Sequence, residues 1–208
     1  TAYGMQQAMR AVAQHLWGSD SLEGRVVGIS GAGKVGGRLA RHLVAEEGAH
    51  VIITDPSPEA LATIDVDVEI VGSTDEILDR ELDIYSPNAL GHALTPEVAQ
   101  RLRAAAVCGA ANNQLAAPEV AVMLDERGIL YAPDYLVNCG GVVQAAEEIP
   151  GFDMARARAR VAGVYETTLR VLGRARAEGL LPEAAAAEEA EERMASGGPA
   201  FRTFDVGR

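Results

Sequence analysis

The chain is poor in the residues that would place it in several large functional classes. Its 208 residues hold two cysteines, one tryptophan and a single lysine, Lys34, and aromatic residues make up only 4%. Two cysteines in a chain of this length fit reduced thiols, not a disulfide framework. The 18 lysines and arginines are outweighed by 30 acidic residues, for a net charge of −12 at pH 7. Such a balance leaves no basic surface with which to hold nucleic acid by counterion release. No apolar run approaches the roughly 20 residues of a membrane span, and residues 1–10 carry no apolar signal core with a small-residue cleavage site. A cytoplasmic protein without a membrane partner is the expectation. His15, His42, His50 and His92 are scattered, and none pairs with Cys108 or Cys139 at a metal-ligand spacing, so no metal site is expected.

What is present is an ordinary globular composition, 48% hydrophobic and 23% charged, in a regular alternation of elements. In residues 1–18 the apolar positions Met5, Ala8, Met9, Val12 and Leu16 recur at helical spacing, with Gly18 as a stop. A β-branched strand over residues 25–30 runs into glycines and then into a helix carrying Val35, Leu39, His42 and Leu43. The second strand, residues 50–55, closes on Asp55. Further strands are expected around Ile70 and Ile84 and over residues 104–110 and 128–133. Helices fall between them, one capped by Ser73 or Thr74, one by Thr95 with Pro96 at its first position, and one over residues 118–128. Strands and helices in this rhythm predict a Rossmann-type, doubly wound α/β fold with a mostly parallel sheet.

Beyond Ile149 the strands stop. Residues 153–179 read as one long helix with Val161, Val164, Tyr165, Thr168, Leu169 and Leu172 on one stripe, and a second, acidic and alanine-rich helix begins at Pro182. The Gly-Gly-Pro end is expected to fray or be disordered. The organisation expected is a leading helix (1–20), a dinucleotide-binding domain (21–150) and a helical tail (151–208).

Gly31, Gly33 and Gly36 form G-A-G-K-V-G directly after a strand and at the opening of a helix. The first glycine permits a tight turn, the second lets the backbone approach a pyrophosphate, and the third allows close packing of helix on strand. Asp55 ends the next strand, where a carboxylate accepts hydrogen bonds from adenosine ribose hydroxyls and repels a 2′-phosphate, which favours NAD over NADP. The plainer alternative makes Asp55 a cap for the following helix. Three later strand ends deliver Asn88, Asn112, Asn113 and Asn138 to the same crevice, where amides suit a carboxamide, a ribose or a small zwitterion. Asparagine also populates left-handed turns, which weighs most against Asn112. Cys108 and Cys139 read as packing residues. In "YAPDYLVNCGGVV" (131–143) the expectation is a strand that turns and presents Asn138 while Gly140 and Gly141 keep the approach free of side chains.

Taken in order, "TAYGM", "GAGKVGG", the strand-ending Asp55, "PNALG", "CGAANNQLA" and "GILYAPDYLVNCGGV" resemble the cofactor domain of the glutamate/leucine/phenylalanine/valine dehydrogenase family, the branched-chain (valine) members above all. The resemblance implies NAD-dependent oxidative deamination of an L-amino acid. It also implies that Gly31, Ala32, Gly33, Lys34, Val35 and Gly36 bind the pyrophosphate, Asp55 the adenosine ribose, Asn88 and Ala89 line the cofactor's path, and Asn113 sits near the nicotinamide ribose. Thr1 would approach the carboxamide, and Asn138 would touch substrate and nicotinamide together. Asn88 stands where relatives often have cysteine, and Cys139 where they often have alanine. Family members carry an N-terminal catalytic domain whose lysines bind the substrate carboxylate and activate water, through which they also assemble into oligomers. With Lys34 alone, and that in the phosphate turn, this chain holds no catalytic residue of that kind, so by itself it is expected to bind NAD without turnover. Two other readings remain open: a non-catalytic NAD-binding or sensing module, and a dehydrogenase for another small substrate, which would need a histidine at the crevice where only His92 is near.

Overall fold

The computed structural model describes residues 1–147 and 153–196. In α1 (Ala2–Trp17) the side chains of Met5, Ala8, Met9, Val12 and Ala13 are fully buried. The helix stops at Gly18, which takes a φ of 72° and donates its N–H to the Gln14 carbonyl at 3.0 Å, a left-handed ending that glycine adopts without a Cβ clash. β1 (Val26–Ser30), α2 (Gly36–Ala45), β2 (His50–Thr54), α3 (Pro58–Ala62) and β3 (Glu69–Ile70) follow. Then come α4 (Thr74–Leu78), β4 (Leu82–Pro87), α5 (Pro96–Arg101), β5 (Ala104–Val107), α6 (Glu119–Glu126) and β6 (Leu130–Tyr131). Ser73 and Thr95 cap α4 and α5, their hydroxyls accepting from the N–H groups of Glu76 and Val98.

The six strands form one sheet in the order β3-β2-β1-β4-β5-β6 with every pair parallel. Strand order reverses between β1 and β4, so a topological switch point lies at the carboxyl ends of those two strands. Successive strand residues face opposite sides. Ile84 therefore packs with Val27, Ile29, Leu39 and Leu43 under α1 and α2, while its neighbour Tyr85 packs with Ile77, Leu102, Val107 and Leu124 under α4 to α6.

Two stretches depart from the sequence expectation. The last strand ends at Tyr131, and the segment after Pro133 is helical, as α7 (Asp134–Val137) and α8 (Gly140–Ala146) with Asn138 and Cys139 between them. Gly140 is buried, and a Cβ there would lie 3.5 Å from the Gly4 Cα and 3.2 Å from Val161 Cγ1. Its smallness lets α8 approach α1 backbone to backbone, in place of the clear approach expected of it. Residues 153–179, expected as one helix, are α9 (Met154–Ala162) and α10 (Val164–Glu178), broken at Gly163, whose ψ is −9° and whose N–H donates to the Arg160 carbonyl. The break lets Ala157 and Val161 of α9 face inward while Val164 and Leu172 of α10 join the core beneath α1. Val171 and Ala175 turn instead toward Ala185 and Ala186 of α11 (Pro182–Ala195). The frayed end expected of the chain falls on residues 197–208, outside the described residues. No described helix is long and apolar enough to cross a membrane.

Candidate functional site

The turn joining β1 to α2 stands at the switch point. Gly31 takes a φ of 108°, and a Cβ there would lie 2.9 Å from the Ala89 nitrogen. Only glycine meets both demands. At Gly36 a Cβ would lie 1.9 Å from the Gly31 carbonyl oxygen, so the third glycine seals the first helical turn onto the loop. Gly33 is exposed, and no atom of the described residues lies within 4 Å of the place its Cβ would occupy. Among the described residues no acceptor takes the N–H groups of Gly33, Lys34 or Val35. Free donors at the start of a 10-residue helix make an anion cradle, and a side chain on Gly33 would fill it.

Asp55 braces this cradle. Its Oδ2 accepts from the Ala32 N–H at 2.7 Å and its Oδ1 from the Ser57 N–H at 2.8 Å. The cap of α3 is Ser57, whose hydroxyl accepts from the Ala60 N–H at 3.2 Å, so the capping alternative for Asp55 gives way to a tie across the turn. A carboxylate has about four lone-pair positions. The remaining ones face a cleft of roughly 570 Å³ lined by Ser30, Gly31, Thr54, Asp55, Ser73 and Ala89, among others.

At the other side of the switch point the amides are more occupied than the sequence indicates. Asn88 donates its amide to the Ser86 carbonyl at 2.9 Å and to the Ser86 hydroxyl at 3.0 Å, and accepts from the Ala110 N–H at 3.1 Å. Its N–H donates to the Ser30 carbonyl at 2.7 Å. Asn88 thus laces together the ends of β1, β4 and β5, and whatever Asn88 and Ala89 offer a ligand comes from their backbone. Asn88→Ala is expected to lower unfolding free energy by about 1–3 kcal/mol, because the Ala110 donor loses its acceptor; urea unfolding measures it.

Asn138 donates to the Ala110 carbonyl at 3.2 Å and to the Asn112 Oδ1 at 2.7 Å, which brings Asn112 into the corner as its partner. The Asn138 Oδ1 takes no donor among the described residues. Asn113 adopts a φ of 52° and its N–H donates to Asp134 Oδ2 at 2.8 Å, leaving its side chain exposed and without a hydrogen-bond partner among the described residues. Asp134 also accepts from the Tyr131 hydroxyl at 3.0 Å. It is the organising residue that sequence reasoning missed, and its only signal was an acid following Pro133 at a strand end. His92, also at positive φ, donates its N–H to the Asn113 carbonyl at 2.6 Å and places Nδ1 3.1 Å from the Leu115 carbonyl. It bolts two loops together. Thr1 stands against α8, where a Cβ on Gly141 would lie 2.7 Å from its Oγ1.

Neither cysteine has the electropositive setting of a nucleophile. Cys108 is fully buried and burial pushes its thiol well above the usual range; burial also raises that of Cys139, whose Sγ donates to the Leu136 carbonyl at 3.2 Å.

Comparison with known proteins bears on this geometry. A sequence profile of the Glutamate/Leucine/Phenylalanine/Valine dehydrogenase family matches residues 57–157. Valine dehydrogenase of Streptomyces albus is 52% identical over 199 residues, covering 94% of this chain and 54% of that protein. The chain belongs to the glutamate/leucine/phenylalanine/valine dehydrogenase family. Leucine dehydrogenase of Thermoactinomyces intermedius is 42% identical over 196 residues, covering 93% of this chain and 53% of that enzyme. Among solved structures, L-tryptophan dehydrogenase from Nostoc punctiforme superposes with a TM-score of 0.87 at 33% identity, covering 94% of this chain and 59% of that one. The chain therefore spans about half the length of the dehydrogenases it matches. The family profile takes in Asn88, Asn112, Asn113 and Asn138, and the likeness to the Streptomyces albus protein extends over nearly the whole chain.

Proposed function

We propose that this chain is the NAD-binding portion of an L-amino-acid dehydrogenase that catalyses reversible oxidative deamination to the 2-oxo acid and ammonia, with valine or another branched-chain amino acid as substrate. The observation that carries the reading is the pairing, at one cleft, of an open amide cradle at Gly33, Lys34 and Val35 with the Asp55 carboxylate. The cradle takes the pyrophosphate, with Gly31, Ala32 and Gly36 holding its shape. Asp55 takes the adenosine ribose hydroxyls and disfavours a 2′-phosphate, so NAD is the dinucleotide.

Bound NAD supplies a hydride acceptor; the protein's task is to hold it and the amino acid in register. The backbone at Asn88 and Ala89 borders its path, the free Asn113 amide suits the nicotinamide ribose, and Thr1 suits the carboxamide. The unengaged Asn138 Oδ1 suits an amine or amide donor, whether from substrate or nicotinamide. Lys34 lies in the phosphate turn, so the lysines that would bind the substrate carboxylate and activate water come from the complementary half of the protein, which also provides the contacts for assembly. A lysine suits that work because burial and a neighbouring cation lower its pKa toward neutrality. The branched-chain substrate rests on the valine and leucine dehydrogenases that resemble the chain.

Calorimetric titration of the chain with NAD and with NADP tests the cofactor assignment. NAD is expected to bind at least about tenfold more tightly than NADP; a well-folded chain that takes up neither ends the proposal. For the whole protein, valine-dependent formation of NADH is the expected outcome, and its absence with every branched-chain amino acid would remove the substrate assignment.

A further inference from the structure

The two amides that keep open groups at the crevice belong to one closed circuit of hydrogen bonds, and Asp134 closes it from both sides. Its Oδ2 accepts from the Asn113 N–H at 2.8 Å. The residue before, Asn112, accepts from the Asn138 amide through its Oδ1 at 2.7 Å. Asn138 in turn donates its backbone N–H to the Asp134 carbonyl at 2.9 Å. The circuit therefore runs from the Asp134 carboxylate through Asn113, Asn112 and Asn138 back to the Asp134 backbone, and it joins the loop after β5 to α7. Two further contacts fix where it lies. The Asn138 amide also donates to the Ala110 carbonyl at 3.2 Å, and the Tyr131 hydroxyl donates to Asp134 Oδ1 at 3.0 Å. Tyr131 is buried at the end of β6, in register with Val107 of β5. Burial, reinforced by the neighbouring Asp134, raises its hydroxyl well above the usual range, so it stays a donor.

A circuit built only for stability would use up the groups it orders, and this one ends on groups that it leaves open. Among the described residues the Asn113 side chain has no hydrogen-bond partner and the Asn138 Oδ1 takes no donor. Asn113 is moreover held at a φ of 52°, a region that residues other than glycine seldom occupy. Its N–H is fixed by Asp134 and its carbonyl by the His92 N–H at 2.6 Å. Backbone held in a sparsely populated conformation by its surroundings points to a side chain that must be aimed. We propose that Asp134 is a positioning residue for the nicotinamide end of the dinucleotide: it touches no ligand, and it sets the spacing between the Asn113 amide and the Asn138 Oδ1. The inference rests on the dinucleotide reading given above and adds to it the group that keeps two ligand contacts in register. Such preorganisation matters because small misplacements of positioning groups cost much of the binding and rate that they support.

The test is calorimetry on the full chain and on Asp134→Ala, Asp134→Asn, Asn112→Ala and the Asp134→Ala/Asn112→Ala double variant, each titrated with NAD and with ADP, with thermal melts to verify folding. ADP carries the adenosine and pyrophosphate of NAD and nothing of its nicotinamide end. Asp134→Ala is expected to weaken NAD at least about tenfold and ADP less than about twofold. Asn112→Ala cuts the circuit at an exposed residue, and is expected to weaken NAD at least about threefold with ADP unchanged. The double variant should lose no more than about twofold beyond Asp134→Ala, since both changes open one circuit. Asp134→Asn should stay within about threefold of the parent chain, because its Oδ1 still accepts from the Asn113 N–H while its Nδ2 donates to the Tyr131 hydroxyl oxygen. Equal losses for ADP and NAD, no loss for NAD, additive losses in the double variant, or an Asp134→Asn chain as weak as Asp134→Ala each overturn the proposal. If Asp134→Ala does not fold, Asn112→Ala and Asp134→Asn decide by the same comparisons. A folded parent chain that takes up neither ADP nor NAD defeats the dinucleotide reading itself, an outcome visible before any variant is compared.

Discussion

Gly36→Ala is expected to lose measurable dinucleotide binding and to lower unfolding free energy by about 3 kcal/mol. A Cβ at this position would lie 1.9 Å from the Gly31 carbonyl oxygen, a backbone atom that can move only if the turn moves. Gly31 in turn is held by its N–H bond to the Thr54 carbonyl at 2.8 Å and by Ala89 at its back, so the strain spreads into β2 and the β4 end. In an unstrained helix the same replacement stabilises by roughly 0.5–1 kcal/mol, which makes the sign decisive. Gly33→Ala separates shape from function. Its Cβ would meet no atom of the described residues within 4 Å, so stability should stay within about 0.5 kcal/mol of the parent chain. NAD affinity should nevertheless fall at least about tenfold, because the methyl group occupies the cradle. Urea unfolding and calorimetry on the two variants read both effects, and a Gly36→Ala chain that melts and binds like the parent would refute this account of the turn.

The glycine turn was legible in the sequence because its requirements are local. A strand, a positive φ, an open amide and a sealed helix start are all set within six residues, and the parallel sheet follows from strands and helices alternating at short spacing. What escaped was decided at a distance. The role of Asn88 depends on the Ala110 N–H, 22 residues further along the chain, and no local pattern announces it. The run Tyr135, Leu136, Val137 fits a strand or a single helical turn equally well at such a length; the contact of Gly140 with Gly4 selects the helix. Glycine inside a helical pattern is tolerated often enough that Gly163 did not read as a break, and it became one because α9 and α10 each present an inward face.

Asp55→Ala should weaken NAD binding about 100-fold, the equivalent of about 2.7 kcal/mol, within the range of one or two charge-assisted hydrogen bonds to ribose hydroxyls. The carboxylate also has a structural duty, since it accepts from the N–H groups of Ala32 and Ser57. Ser57 is half-buried and water can replace its acceptor. Ala32 is 2% exposed, so its donor is stranded, and stability should fall by about 1–2 kcal/mol. Asp55→Asn does not rescue the brace, because both partners are donors and an amide offers one of them its own N–H. The two roles are separated by the ligand. An NAD analogue lacking the adenosine ribose hydroxyls is expected to bind the parent chain weakly and Asp55→Ala with nearly the same weakness, so that the two losses do not add. If Asp55 only braces the turn, the analogue binds the parent chain as well as NAD does and loses affinity by the same factor in the variant. Measured well below the melting temperature of the variant, non-additivity makes Asp55 a ligand contact, and additivity reduces it to a strut of the phosphate turn.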